Sequence, residues 1–269
     1  MYLDSHVHFW QPSRGDYGWL KPENTLLYRD YLPTQLLQEL EGLGVQGVIA
    51  VQAAPTAEEA EYLLQLSDRH PLITGVVGGL DPLAVDFASQ LNRLAQHPRF
   101  LGIRVNGDRF EQPALVEHLR ILQQLGLTLD VLAGPGHLTS VYECARQLTG
   151  LRIVVNHLGH PNTATLELWT AGMKQLAGLP DVSVKLSGMV TQVREERVER
   201  LTPVIRILLK EFGPSRLMFG SDWPVALQAG GYEEVVKLFE AVLHGNGLSP
   251  SELDMIRSRT AQRAYGLSQ

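Results

Sequence analysis

Two histidines separated by one residue, His6 and His8, stand at the end of the first apolar segment of the chain. Side chains on a β-strand alternate between its faces, so residues i and i+2 point in the same direction. On a strand, both imidazoles would therefore face one pocket, where they could bind a metal ion or polarise a carbonyl oxygen and handle its protons. The alternative is a strand end that carries two histidines without a functional role. Whether other polar residues converge on the same pocket decides between these two interpretations.

The carboxylate of Asp222 lies just past another apolar segment, in a turn flanked by a glycine and a proline. It could bind a metal ion or take a proton from water, or it could simply cap a turn. His157 also follows an apolar segment, and we favour it over His160 because it lies nearer the strand. Together with His6 and His8, these positions favour a catalytic role for Asp222 and His157.

Three further polar residues lie within or at the end of apolar segments. Lys185 in an otherwise apolar segment is costly unless it is paired. It either neutralises a carboxylate such as Asp4 or binds an anionic group of a substrate. Arg104 carries a planar fork suited to a carboxylate, and Gln52 offers an amide that could hydrogen-bond a substrate.

Eight short apolar segments alternate with longer amphipathic ones, and we predict that they are strands. They span residues 3–7, 47–52, 73–77, 101–105, 128–132, 152–156, 182–186 and 216–219. Several are almost continuously apolar, which is typical of parallel strands buried on both faces. The segments from Thr56 to Glu59 and from Ser249 to Glu252 have the pattern of capping boxes, which begin helices.

Eight strands alternating with helices over about 250 residues predict an α/β fold, a single (β/α)₈ TIM barrel over residues 1–269 with a C-terminal helix. The alternative is an open doubly wound sheet, but no Gly-x-Gly-x-x-Gly motif follows any predicted strand. In a barrel, the carboxyl ends of all strands meet at one mouth, where catalytic residues lie. Residues 9–31 have no periodicity but are rich in aromatic residues, so we expect a lid or pocket wall there, or a loop packed on the rim.

Composition limits the classes of partner. The 269 residues are 44% hydrophobic and carry a net charge of −6, which argues against nucleic acid or an anionic membrane as a partner. No apolar run is long enough to span a membrane, and the first residues lack the pattern of a signal peptide. The single cysteine, Cys144, excludes a disulfide within the chain and fits a reducing compartment. We therefore expect a cytoplasmic enzyme.

The polar segments together resemble the amidohydrolase superfamily, specifically its amidohydrolase-2 type. The matching segments are residues 4–10, 51–53, 102–104, 156–161, 185–188 and 218–224, in the order expected for that family. Within it, the sequence is most similar to lactonases that act on L-fuconolactone or L-rhamnonolactone, and more distantly to 2-pyrone-4,6-dicarboxylate lactonases. The resemblance implies a distorted barrel and hydrolysis of the lactone ring of a sugar acid.

The resemblance also implies roles for individual residues. Asp222 would activate water, and His6, His8 and His157 would polarise the lactone carbonyl. From their positions at strand ends and in the aromatic connection, we expect the substrate-binding residues to be Gln52, Arg104, Lys185, Trp10, Trp19 and Trp223.

Metal binding is where the sequence departs from the wider superfamily. Residues 128–132 contain no histidine, which argues against a binuclear centre. The expectation is one divalent ion, zinc in the first place, on His6, His8, His157 and Asp222, or a reaction without metal. Two alternatives remain open: a metal-dependent decarboxylase or hydratase on the same barrel, and a non-catalytic barrel that binds a sugar acid.

Overall fold

The computed structural model describes residues 1–193 and 197–267. Its eight strands form one parallel sheet whose spatial order follows the sequence. The strands are β1 (Tyr2–Val7), β2 (Val45–Val51), β3 (Ile73–Gly78), β4 (Phe100–Asn106), β5 (Thr128–Leu132), β6 (Ile153–Val155), β7 (Val182–Leu186) and β8 (Leu217–Phe219). Every predicted strand is confirmed, with ends that differ by one or two residues at most.

The two ends of the sheet meet just beyond β8. Val7 forms a parallel bridge with Trp223. The backbone N–H of Asp222 donates to the carbonyl of His6 at 2.8 Å, and that of His8 donates to the carbonyl of Trp223 at 2.8 Å. The sheet is therefore a nearly closed barrel, and the open doubly wound alternative, whose first and last strands do not meet, is wrong.

The apolar strands are buried on both faces, as their sequences predict. Along β2, Val48 and Ala50 pack in the large cluster between barrel and helices, whereas Ile49 and Val51 pack in a second cluster. That second cluster also contains residues of β1, β3, β4, β6 and β8, so it fills the interior of the barrel. Alternation along one strand thus supplies both layers of the core.

Helices surround the barrel. They are α1 (Pro33–Glu39), α2 (Ala57–Arg69), α3 (Phe87–Leu94), α4 (Leu115–Gln124), α5 (Leu138–Ala145), α6 (Leu166–Ala177), α7 (Met189–Gln192), α8 (Arg197–Phe212), α9 (Tyr232–Leu243), α10 (Pro250–Asp254) and α11 (Thr260–Ala264). The capping box at Ser249 is confirmed. At α2 the prediction is half right: Thr56 accepts from the N–H of Glu59, but the Glu59 carboxyl bonds to Ala53 instead of returning to Thr56. In the described ranges, no helix is long and apolar enough to cross a membrane.

The predicted C-terminal helix is confirmed and lies at the amino-terminal end of the barrel. A π-helical turn, Met255–Arg259, joins α10 to α11. The hydroxyl of Thr128, the first residue of β5, donates to the carbonyl of Ala264 at 2.8 Å. Tyr265 follows and is buried in the inner cluster. The C-terminal segment therefore closes the floor of the barrel, and the carboxyl ends of the strands remain the open mouth.

The long connection between β1 and α1 is a folded unit at that mouth. Backbone hydrogen bonds between Trp10 and Tyr31 close its neck. Its interior contains buried side chains of its own, including Tyr17, Leu20 and Leu27. Phe9, Trp10, Tyr17 and Tyr31 are thus buried with these side chains in the main hydrophobic cluster, which makes the connection a structured wall of the mouth.

Candidate active site

A cavity of about 520 Å³ opens at the carboxyl ends of the strands. Its lining includes His8, Trp19, Gln52, Arg104, His157, His160 and Asp222. A larger groove, of about 600 Å³, lies on the opposite side, where the side chains of Arg152, Arg216 and Arg263 donate to backbone carbonyls. None of the histidines named above lines that groove, so the cavity at the mouth is the candidate active site.

β1 places His6 and His8 side by side, with ring centroids 4.9 Å apart. The Nδ1 atom of His8 lies 2.8 Å from the carbonyl oxygen of Val51. Because a carbonyl only accepts, Nδ1 of His8 carries a proton, and Nε2 is the ring nitrogen that faces Asp222. This Nε2 lies 3.4 Å from Oδ1 of Asp222, and Nε2 of His6 lies 3.8 Å from the same oxygen. His6 Nε2 is buried and has no hydrogen-bond partner among the described residues.

Asp222 is held in a constrained backbone position. Its φ of +64° is uncommon for a residue with a side chain, and such strain concentrates at functional sites. A Cβ on the nearby Gly220 would lie 2.9 Å from the Cβ atoms of both His6 and Ser187, so only glycine allows this close approach. Burial raises the pKa of the Asp222 carboxyl, but the imidazoles of His157 and His8 outweigh it and hold the pKa below its usual range. Asp222 is therefore ionised at neutral pH.

His157 completes the group from the end of β6. Its ring centroid lies 4.5 Å from that of His6, and its Nδ1 lies 2.9 Å from the hydroxyl oxygen of Ser187. Its φ of +52° is also in the left-handed region. Burial lowers the pKa of His157 to about 3, so the ring is neutral at neutral pH. We call His6, His8, His157 and Asp222 the reaction face.

The reaction face has the geometry of a metal site. His6, His157 and Asp222 place ligand atoms within 4.8 Å of one another, the one such group of three found in the described parts of the chain. His8 is not in that group, although its Nε2 faces Asp222. Imidazole nitrogens and a carboxylate oxygen suit a zinc-like ion, and the unpartnered Nε2 of His6 is an unused ligand atom. The residues therefore fit one divalent ion.

Lys185 follows the first of its two predicted alternatives, pairing with a barrel carboxylate, but the partner is Asp130 and not Asp4. It is fully buried below the cavity and pairs with Asp130 of β5 at 2.7 Å, neither binding at the cavity nor pairing with Asp4. The Asp4 carboxylate instead accepts from the N–H of Ser221 at 2.9 Å and from the hydroxyl of Tyr232 at 2.7 Å. The apolar segment around Lys185 indicated that the lysine needs a charged partner, but it did not indicate which strand supplies the carboxylate.

The Lys185–Asp130 pair connects the barrel floor to the reaction face. Asp130 also accepts from the hydroxyl of Tyr265 at 2.6 Å and from the amide of Asn156 at 2.9 Å. Lys185 Nζ lies 3.3 Å from Nδ1 of His6. Burial lowers the pKa of Lys185, and Asp130 opposes that effect. The network fixes the orientation of the His6 ring from below, which the sequence did not predict.

Trp19, Gln52 and Arg104 form the other side of the cavity, which we call the recognition wall. The Arg104 guanidinium donates to the carbonyl of Gln52 at 2.7 Å, and the Trp19 indole donates to the carbonyl of Ala53 at 2.7 Å. His160 lines the cavity too, with its ring centroid 5.2 Å from that of His157. His160 lies farther from the strand than His157, and its place in the same turn is the sequence signal for its position at the cavity.

Trp10 and Trp223, which we expected to contact substrate, are buried in the core of the mouth instead. The Trp10 indole donates to the carbonyl of Leu27 at 3.1 Å, and the Trp223 ring lies edge-on to Tyr31 at 5.3 Å. Their exposed fractions are 0% and 1%. They support the long connection and do not line the cavity.

Comparison with known proteins shows the family. The chain matches the family described as Amidohydrolase over residues 3–267. It is 36% identical to an L-fucono-1,5-lactonase from Burkholderia ambifaria over 86% of this chain and 82% of that protein. An L-fucono-1,5-lactonase from Burkholderia multivorans is 33% identical, over 98% and 96%.

Solved structures agree. Two crystal structures of an amidohydrolase from Burkholderia multivorans, one with bound HEPES and one with bound Zn, each give a TM-score of 0.91 at 31% identity, over 100% of both chains. Sequence and structure thus match over essentially the whole chain, which belongs to the amidohydrolase family.

Proposed function

We propose that the protein hydrolyses the lactone ring of a sugar acid, an aldonolactone such as L-fucono-1,5-lactone. The observation that carries the proposal is the approach of the Asp222 carboxylate to the Nε2 atoms of His8 and His6, at 3.4 and 3.8 Å, at the mouth of the nearly closed barrel. Two relatives that cover most of the chain are L-fucono-1,5-lactonases, which supports the substrate class.

In the proposed reaction, Asp222 is the general base. It takes a proton from water while the water oxygen attacks the lactone carbonyl carbon, and the carbonyl π electrons move to oxygen. We assign stabilisation of the developing oxyanion to His6, His8 and His157, either directly through a ring N–H or through one divalent ion that they would hold. When the tetrahedral intermediate collapses, the bond from carbon to the ring oxygen breaks, and the protonated Asp222 returns its proton to that oxygen. The product is the open hydroxy acid.

The same residues would hold one divalent ion, with His6, His157 and Asp222 as the ligands and His8 beside them. The zinc-bound relative makes zinc the first candidate. A bound ion would supply Lewis-acid polarisation of the lactone carbonyl. The recognition wall would bind the sugar, with the Arg104 guanidinium and the Gln52 amide hydrogen-bonding to hydroxyl groups and the Trp19 ring packing against a ring face.

A panel of aldonolactones tests the function. Acid release is measured by titration at constant pH. We expect it to be fastest with a six-carbon or 6-deoxy sugar lactone. We expect it to occur with the protein as purified and also after a divalent metal is added. Carboxylated aromatic substrates, assayed for carbon dioxide release, test the decarboxylase alternative. Acid release from no lactone above the uncatalysed rate would contradict the proposal, and binding without turnover would identify a non-catalytic sugar-acid-binding barrel.

A further inference from the structure

A second group of buried polar atoms lies behind the recognition wall. It comprises Arg14, Asp16 and Tyr17 of the β1–α1 connection and Glu59 and Tyr62 of α2, and we call it the loop-side cluster. Each of these side chains has a buried nitrogen or oxygen with no hydrogen-bond partner among the described residues. Their interactions are local: Arg14 bonds to Asp16 at 2.7 Å and lies over the Tyr62 ring at 4.5 Å. Because unpaired buried polar atoms are costly, each of these atoms needs a partner such as an ordered water, an ion or a ligand, or a functional reason to stay unpaired.

Glu59 is the member of the cluster that reaches the recognition wall. It is fully buried, and its Oε1 accepts from the backbone N–H of Ala53 at 2.9 Å. The carbonyl of Ala53 accepts from Trp19, and the carbonyl of Gln52 accepts from Arg104. Two consecutive residues after β2 thus orient the Trp19 and Arg104 side chains of the wall, and Glu59 anchors those two residues to α2.

Helix capping does not account for Glu59. Thr56 already accepts from the N–H of Glu59 at 3.2 Å, and the return contact of a capping box is not made. An exposed glutamate, Glu58, lies in the same first turn and supplies negative charge at the helix N-terminus without burial. Full burial of Glu59 is therefore unnecessary for the helix.

We propose that Glu59 is a positioning residue for substrate recognition, which holds the Gln52–Ala53 segment so that Arg104 and Trp19 are oriented toward the sugar. The inference rests on the proposed function. Glu59 touches neither the reaction face nor the reacting atoms, so it would affect binding of the lactone and leave the chemical step nearly unchanged.

Protonation of Glu59 is part of the arrangement. Burial raises the pKa of Glu59 to about 8, despite the hydrogen bond from Ala53, so the side chain is a neutral acid at pH 7. A glutamine copies that neutral form and keeps the oxygen that accepts from Ala53. The titratable and charged groups that face Glu59 are Arg14, Asp16 and Tyr17 of the connection, Tyr62 of α2 and Arg104 of β4.

The variants Glu59→Leu and Glu59→Gln distinguish two roles of Glu59, that of a hydrogen-bond acceptor for the Ala53 N–H and that of a titratable carboxyl group. With the lactone that the wild type hydrolyses best, we expect Glu59→Leu to raise KM about 5- to 20-fold, because one buried hydrogen bond is lost. The kcat of this variant should stay within about threefold of the wild-type value. Glu59→Gln should keep both constants within about twofold at pH 7. Glu58→Leu, which removes an exposed carboxylate from the same turn, is the matched control and should leave KM unchanged.

Fluorescence gives a readout that does not depend on activity. Trp19 is 47% exposed, whereas Trp10, Trp169 and Trp223 are at most 1% exposed, so iodide quenches mainly Trp19. We expect Glu59→Leu to increase the iodide quenching constant, because Trp19 loses its fixed acceptor, and Glu59→Gln to leave it at the wild-type value. This result stands even if the wild type hydrolyses none of the lactones tested, so the two proposals fail separately.

Three outcomes would overturn the inference. The first is a lower kcat with unchanged KM in Glu59→Leu, the second is an unchanged quenching constant in a folded Glu59→Leu, and the third is a Glu59→Gln variant that behaves like Glu59→Leu. Cooperative thermal unfolding confirms that each variant is folded. If Glu59→Leu does not fold, Glu59→Asp withdraws the carboxyl by one methylene and tests the same hydrogen bond.

Discussion

The two sides of the cavity are held in different ways. On the reaction face, Asp222 and His6 are joined through the backbone at 2.8 Å, and the His6 ring contacts Lys185 from below. On the recognition wall, Arg104 and Trp19 each depend on one hydrogen bond from a side chain to a peptide carbonyl. Strained backbone and buried charge thus surround the groups proposed for the chemistry, whereas single hydrogen bonds orient the groups proposed to contact the sugar.

Because of this difference, we expect the reaction face to determine the rate of the chemical step and the recognition wall to determine which lactone binds. A group fixed by backbone bonds keeps its geometry when the substrate changes, which suits residues that act on a carbonyl common to all lactones. A wall held by single hydrogen bonds can be altered one residue at a time without disturbing that geometry. Substitutions on the reaction face should therefore lower kcat, and those on the wall should raise KM.

The largest expected effect is that of Asp222→Asn. The amide keeps the shape of the side chain but cannot take a proton from water, so we expect kcat to fall by about 10²–10⁴-fold with little change in KM. Asp108→Asn, at an exposed aspartate beyond β4, is the control. Steady-state lactone hydrolysis measures both, and near-wild-type turnover in Asp222→Asn would eliminate the proposed base.

Lys185→Met tests the support beneath the reaction face. Removing one partner of a buried ion pair leaves the other uncompensated, so we expect the free energy of unfolding to fall by about 3–5 kcal/mol. The double variant Lys185→Met/Asp130→Asn should recover part of that loss, because no buried charge remains unpaired. Urea denaturation measures both variants. Equal stability of the wild type and Lys185→Met would show that the pair does not stabilise the fold beneath the reaction face.

Much of this architecture follows from local sequence signals. Each of the eight strands is a short apolar run, and a parallel barrel needs just such runs because both faces are covered. Strand ends in a barrel share one mouth, so the convergence of His6, His157 and Asp222 also follows from their positions.

The features that the sequence did not reveal depend on contacts between distant elements. Lys185 pairs with Asp130 because alternate strands of a barrel share an interior layer, which no spacing along the chain encodes. The Thr56 to Glu59 pattern is the same whether the carboxyl returns to the cap or bends to Ala53. Trp10 lies in an irregular connection, where no periodicity gives the direction of a side chain.

Arg104→Lys is the direct test of the recognition wall. Lysine keeps the positive charge but loses the planar fork that bonds to the Gln52 carbonyl and faces the cavity. We expect KM to rise about tenfold, with kcat within about threefold, in contrast to Asp222→Asn. Arg109→Lys, at an exposed arginine just beyond β4, is the control. A fall in kcat equal to that of Asp222→Asn would show that Arg104 acts in the chemistry instead.

The last prediction concerns the dependence of stability on pH. The Glu59 carboxyl has a pKa of about 8 in the folded protein against 4.5 for the ordinary side chain, because burial disfavours its charge. The folded state therefore holds a proton that the unfolded state has lost. The stability contributed by this proton is complete below about pH 4.5 and is lost as the pH rises to about 8, at no more than about 1.4 kcal/mol per pH unit.

Glu59→Gln removes that dependence. Relative to the wild type, we expect its free energy of unfolding to increase progressively between pH 5 and pH 8, as measured by urea denaturation at each pH. All other titrating groups are common to both proteins, so they cancel in the difference. Glu58→Gln, on the exposed side of the same turn, supplies the reference. A constant difference between Glu59→Gln and the wild type across this range would mean that Glu59 is ionised in the folded protein, and the wall would then be anchored by a carboxylate within reach of Arg14 and Arg104 rather than by a neutral acid.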